Sequence, residues 1–218
     1  MNRTVIVITG ASPLDRRAVA ELPIDAVIIA ADGGLDHARA AGLEPGTLVG
    51  DLDSISAGGL AWATEHATLV RHPVDKSATD TELAVAHAAS LGPSRIILAA
   101  GVGDRSDHAV AALGALGAPE LAAVEHLEAW WGTDHLWVVH APRRVELPLG
   151  EGTVFSVLAM HGAATGVTVT GARWPLEHHD LAPLVGLGVS NVAADDVVTV
   201  AVAGGILTVF VPVVQGVS

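Results

Sequence analysis

A chain of 218 residues, half of them hydrophobic, has room for one large domain or two modest ones and for a sizeable core. The formal net charge of −13 argues against a nucleic-acid backbone as partner, because that affinity is built from many Lys and Arg contacts. The lack of any cysteine excludes a disulfide framework and thiolate chemistry, and it fits a reducing, cytoplasmic location.

Met1–Thr4 leads straight into the apolar run Val5–Ile8, which is too short for a signal-peptide core and has no small-residue cleavage site. Strand patterns are predicted at Val5–Ile8, Ala26–Ala30, Ala67–Arg71 and Arg95–Ala99. Ala-rich helical stretches at Leu35–Ala41, Ala57–Glu65, Thr79–Leu91 and Asp107–Leu116 alternate with them. Such alternation predicts a mostly parallel sheet with helices on both faces, an α/β domain over residues 1–134. Pro119–Thr133, with Trp130-Trp131, reads as a last helix joining this half to the next. Short β-rich runs then follow at Leu136–His140, Val145–Leu147, Val154–Leu158, Val167–Val169, Val197–Val202 and Ile206–Val211. Gly and Pro turns between most of them predict a β-sandwich or small barrel domain over residues 135–218. The longest apolar region, Val197–Val214, is broken by Gly204-Gly205 and rich in β-branched residues, so it reads as a hairpin and not as a membrane span.

Three clusters concentrate charge where an α/β sheet presents its ligand-binding edge: Gly50-Asp51-Leu52-Asp53-Ser54, Asp75-Lys76-Ser77-Ala78-Thr79-Asp80 and Arg105-Ser106-Asp107-His108. On an extended segment Asp51 and Asp53 point to the same side, which suits a Mg²⁺ ion held by one or two carboxylates plus phosphate oxygens. A bare polar turn is the competing reading of that pentad. Thr79 and Glu82 form a capping-box pattern, so Thr79 and Asp80 open a helix whatever else they do. Lys76 is the one lysine of the chain, and an ammonium just ahead of a helix N-terminus suits a phosphate. Arg105 either forks onto phosphate oxygens or pairs with Asp104 or Asp107, and the plain structural alternative for Asp107 is a helix cap. Ala31-Asp32-Gly33-Gly34 is a fourth, weaker element of the same strand-then-turn kind. The eleven histidines show no zinc-site spacing, and neither a P-loop nor a Gly-x-Ser-x-Gly elbow is present.

In kind, order and spacing, the Ala-Asp-Gly-Gly segment, Gly-Asp-Leu-Asp-Ser, Lys76-x-x-Thr79-Asp80-Thr81-Glu82 and the Gly-x-Gly-x-Arg-x-Asp-His run resemble the thiamine pyrophosphokinase family. Gly171–Leu176 and Gly188–Asn191 extend the resemblance over nearly the whole chain. It implies the β-sandwich for residues 135–218. It also implies transfer of a diphosphoryl group from ATP to the hydroxyl of thiamine, releasing AMP, by a homodimer with thiamine near the subunit interface. By the same resemblance Asp32, Asp51, Asp53, Asp80 and Asp107 are acidic motif positions, with Asp51, Asp53, Asp80 and Asp107 expected on Mg²⁺. Lys76 and Arg105 are expected on phosphate, Thr79 beside the nucleotide, and Trp174, Ser190 and Asn191 around thiamine. Asp32 or Asp80 is expected to take the hydroxyl proton. Two positions depart from the family pattern: Ser77 stands where relatives carry an acid, and Asp104 where they carry Gly. An acidic surface suits a cationic substrate, and no membrane partner is expected.

Other classes fit parts of the pattern. One is a diphosphokinase of another alcohol, such as a hydroxymethylpterin. Another is a phosphatase using Asp51 as nucleophile and Asp53 as acid/base, although that pair normally follows the first strand. The third is a nucleotide- or thiamine-binding module without catalysis.

Overall fold

The computed structural model describes residues 3–103 and 105–213, and the chain divides into two compact units, one ending at Thr133 and the other beginning at Asp134. Asp104 and Val214 lie outside the described residues.

The first unit runs β1 (Thr4–Ile8), α1 (Arg16–Ala20), β2 (Val27–Ala31), α2 (Gly34–Ala40), β3 (Thr47–Gly50), α3 (Ala57–His66), β4 (Thr68–Arg71), α4 (Asp80–Ser90), β5 (Arg95–Ala100), α5 (Ser106–Ala115) and β6 (His126–Trp131). All the strand pairs are parallel, in the order β6-β5-β1-β2-β3-β4. The sheet is buried on both sides, which explains why β1 and β5 read as unbroken apolar runs. Successive side chains alternate across a strand. Ile6, Ile8, Ile97 and Ala99 therefore share one core cluster with Ala38 of α2, while Ala30 and Leu48 meet Leu35 and Ala63 of α2 and α3. Val5, Val7, Ile96 and Leu98 point to the opposite face, where α4 lies against β1, β2 and β3.

Three elements of this unit, α1, β3 and β6, differ from the sequence reading. Pro119–Ala123 is a single 3₁₀ segment, and the joining helix expected through Thr133 is instead the strand β6. A short apolar run fits either period, and here parallel pairing with β5 decides it. Glu128 of β6 is buried and accepts two charge-assisted bonds from Arg95 of β5, at Nε (2.7 Å) and Nη2 (2.7 Å). β3 is only four residues long, too short for its pattern to stand out.

The second unit contains β7 (Asp134–His140), β8 (Arg143–Leu147), β9 (Val154–Leu158), β10 (Ala164–Thr170), β11 (Leu176–Leu181), β12 (Asn191–Val192), β13 (Val198–Val202) and β14 (Ile206–Val211). β9, β14 and β7, with the short β12 at the edge, form one antiparallel sheet, and β11-β10-β13-β8 form the other. Inward-facing Val139, Phe155, Val157, Leu207 and Val209 from the first join Val167, Val169, Val198 and Val200 from the second in one core. The expected hairpin over Val197–Val214 is corrected: β13 pairs with β8 and β10, whereas β14 pairs with β7 and β9. Gly204-Gly205 carries the chain from one sheet to the other, with Gly205 at φ +81° and Gly204 bridged to Thr165. Among the described residues no helix is long and apolar enough to cross a membrane.

Gly34 shows how closely the first unit is drawn together at its ligand-binding edge. A Cβ on this first residue of α2 would meet the Thr9 carbonyl carbon at 3.0 Å. Gly34→Ala is therefore expected to destabilise the protein by about 1–3 kcal/mol through overpacking. A urea midpoint equal to that of the wild type would show that the contact is slack.

Candidate active site

Strand order reverses at β1: β2, β3 and β4 lie to one side of it, β5 and β6 to the other. The segments leaving the carboxyl ends of β1 and β5 therefore part, and a crevice opens where open α/β sheets bind ligands. A cavity of about 330 Å³ lies there, and every strand from β1 to β5 sends a segment to it. Thr9–Ala11 follow β1, Asp32 and Gly33 follow β2, Ser54 follows β3, Thr79–Thr81 follow β4, and Arg105 and His108 follow β5.

Three carboxylates converge on this edge. Asp32, Asp51 and Asp80 each offer an oxygen, and the three oxygens lie within 4.8 Å of one another. Gly50 makes the approach possible, because a Cβ at that position would meet Asp80 Oδ1 at 2.9 Å and the Asp32 Cβ at 3.1 Å. Lys76 donates from Nζ to Asp51 Oδ2 (2.7 Å) and to Asp80 Oδ1 (2.6 Å). Burial works against the Lys76 ammonium, yet the two carboxylate bonds outweigh it and hold its proton affinity above the ordinary lysine value. Asp51, bonded to Lys76, is held below the usual carboxylate range.

Asp32 behaves in the opposite way. It is buried at φ +44°, and burial raises its proton affinity more than the hydrogen bonds from Ser54 lower it, with Asp80 adding repulsion. Ser54 donates to Asp32 Oδ2 from its backbone N–H (3.3 Å) and from its hydroxyl. The other oxygen, Oδ1, is buried without a hydrogen-bond partner. A buried carboxylate oxygen left unpartnered, beside two more carboxylates in a cradle that a Cβ would fill, fits a hard divalent cation with oxygen ligands.

Asp53 and Asp107, expected beside Asp51 and Asp80, are not in this group. Leu52 adopts φ +68°, so the segment after β3 is not extended, and the Asp53 side chain reaches Asp51 through a turn and not through strand alternation. Asp53 is exposed; its backbone N–H donates to Asp51 Oδ1 (3.3 Å), and its charge is still felt by Asp32. Asp107 instead accepts a fork from Arg105, Nε to Oδ1 at 3.0 Å and Nη2 to Oδ2 at 2.8 Å, and this bond keeps its carboxyl strongly acidic. Both side chains are largely exposed, and such a pair adds little stability. Arg105 Nη2 also lies 2.6 Å from His108 Nε2.

Thr79 caps α4 and lines the cavity as well. Its hydroxyl accepts from Glu82 N–H (3.2 Å), and its own N–H donates to Glu82 Oε2 (2.7 Å), the reciprocal bonds of a capping box. Ser77 is exposed.

The residues expected around thiamine belong to the second unit. The buried Asn191 clasps the backbone of Trp174, accepting from its N–H (3.1 Å) and donating to its carbonyl (2.7 Å). The indole itself is 55% exposed, with the Arg173 guanidinium 5.0 Å from its ring centre. Ser190 is at φ +60°, and its N–H donates to Ser156 Oγ (3.1 Å). Thr9, Gly10 and Ala11 escaped the sequence reading, as did the placement of Ser54, Thr81 and His108 in the cavity. Thr9-Gly10 directly after an apolar strand was the available signal.

Two family models match the sequence, "Thiamin pyrophosphokinase, catalytic domain" over residues 22–124 and "Thiamin pyrophosphokinase, vitamin B1 binding domain" over residues 138–207. The chain belongs to the thiamin pyrophosphokinase family. Among solved structures, thiamine pyrophosphokinase from Bacillus subtilis is 20% identical, with a TM-score of 0.80 over 95% of this chain and 98% of that one. A thiamin pyrophosphokinase family protein from Enterococcus faecalis is 21% identical, with a TM-score of 0.77 over 96% and 98%. Yeast thiamin pyrophosphokinase is 14% identical, with a TM-score of 0.70 over 97% and 87%. No curated protein shows significant sequence similarity to the chain. The activity is accordingly that of the family, kinase-type transfer of a diphosphoryl group to thiamine. Nothing supports the hydroxymethylpterin or binding-module alternatives.

The raised proton affinity of Asp32 has a measurable consequence. Folding favours its neutral form, so ionised Asp32 costs stability as pH rises from the ordinary carboxylate range through the raised value. In cation-free protein at pH 7, Asp32→Asn is expected to raise Tm by about 2–4 °C for each kcal/mol relieved. The gain should vanish below about pH 4, where the wild-type side chain is neutral in both states. A Tm difference independent of pH in EDTA would contradict this.

Proposed function

We propose that the donor is ATP and that Asp32, Asp51 and Asp80 hold a Mg²⁺ ion at the carboxyl edge of the parallel sheet. The convergence of the three carboxylate oxygens within 4.8 Å is the observation that carries this reading. When bound, Mg²⁺ supplies charge neutralisation for phosphate oxygens. Lys76, already among these acids, reaches the transferred group as a point charge. Arg105 turns from Asp107 onto a phosphate in the same cavity, exchanging one forked anion for another. The backbone N–H groups at the start of α4, behind Thr79, favour the same anion. The thiamine hydroxyl attacks the β-phosphorus, its proton passes to a carboxylate of this edge, and AMP departs. Trp174 offers an exposed aromatic face to the thiamine cation, on a segment held by Asn191 and flanked by Ser190. Alignment and charge carry most of such a transfer.

Incubation with ATP, Mg²⁺ and thiamine should yield AMP and thiamine diphosphate in equal amounts. Asp51→Ala and Lys76→Ala should each lower kcat by about 10²–10³. Asp53→Ala, outside the group of three, should lose less. Near-normal turnover by Asp51→Ala would defeat the cation assignment.

We also propose a cytoplasmic homodimer. Leu184, Val185, Leu187 and Val189 are exposed within six residues, an apolar surface of the kind that pairs with a second copy. Sedimentation should give twice the 22.1 kDa chain mass, and the double substitution Leu184→Glu, Leu187→Glu should return it to the monomer. A monomeric wild type would refute this reading.

A further inference from the structure

We infer that Ser54 is a positioning residue for the cation, acting through Asp32: its hydroxyl and backbone N–H bind one carboxylate oxygen so that the other stays aimed at the shared site. This rests on the proposed cation reading.

Asp32 enters the site from an unusual backbone conformation, φ +44°, with its N–H tied to the Val49 carbonyl at 2.9 Å. The main chain is thereby fixed, and the side-chain torsions remain to be set. Both donors of Ser54 converge on Oδ2, which leaves Oδ1 buried and without a partner. Two bonds converging on one oxygen resist rotation of the carboxylate plane about the Cβ–Cγ bond. Gly33 leaves room for Ser54, since a Cβ there would press on Ser54 Oγ at 3.3 Å. Asp51 and Asp80 are both held by Lys76, so Asp32 is the member of the group that depends on a hydroxyl for its orientation. Partners of this kind beyond the ligands themselves typically change metal affinity 10–100-fold when removed.

The test is Mn²⁺ binding to nucleotide-free protein, read as loss of the free-ion paramagnetic resonance signal. Wild type, Ser54→Ala and Ser54→Thr are compared, each first checked by circular dichroism for an unaltered fold. Ser54→Ala should weaken Mn²⁺ binding about tenfold, and Ser54→Thr, which keeps the hydroxyl, should restore most of it. In turnover assays Ser54→Ala should raise the Mg²⁺ activation constant by a similar factor while the KM for thiamine stays unchanged. Equal Mn²⁺ affinity in wild type and Ser54→Ala would overturn the role of Ser54 and leave the cation site standing. Failure of the wild type to bind Mn²⁺ would overturn the cation site itself, and the role of Ser54 with it. An unfolded Ser54→Ala alongside a folded Ser54→Thr that binds Mn²⁺ no better than Asp32→Asn would also count against the inference.

Discussion

Three carboxylates whose oxygens lie within 4.8 Å repel one another by roughly 3 kcal/mol per ionised pair at an effective dielectric of 20. Lys76 makes that crowding tolerable by bonding two of them, and burial of Asp32 eases the rest by favouring its neutral form. The parallel sheet brings these groups together from the ends of β2, β3 and β4. The order of strands around β1 then leaves room in front of them. A fold optimised for stability alone would not gather like charges at one edge, and the arrangement is intelligible as one that waits for a polycation or a metal–phosphate ligand.

Much of this was legible in the sequence, and the failures have identifiable causes. β1 and β5 are double-faced buried strands with unbroken apolar runs, so their positions could be read directly, whereas of the cavity edge beyond them only the Arg105–His108 side was read and Thr9–Ala11 was missed. Lys76 announced itself as the lone lysine, and the capping box at Thr79 fixed the start of α4. For Asp51 and Asp53 the stated reason was wrong, because the alternation rule holds only while backbone stays extended and Leu52 leaves that region, although the two side chains still meet. β6 was taken for helix because its six residues show no period that distinguishes it from one, and its partner β5 lies 26 or more residues earlier. Asp32 seemed the weakest element, since burial and the contact with Ser54, 22 residues away, are tertiary facts.

In the second unit the same limit appears on a larger scale. Gly204-Gly205 looked like a hairpin turn because local sequence cannot say whether two consecutive strands pair with each other or with strands of different sheets. Here β13 and β14 contribute to one core from different sheets, and neither shares a ladder with the other. The segment Ala141-Pro142 between β7 and β8 makes a similar transfer, and among these strands only β10 and β11 follow one another within one sheet.

The clasp on Trp174 carries a last implication. Asn191 grips the peptide groups of that residue and not its indole, so the geometry of the segment is indifferent to which side chain projects from it. Chemistry at the projecting position and architecture beneath it are thus separable, since replacing the indole leaves both bonds of the clasp in place.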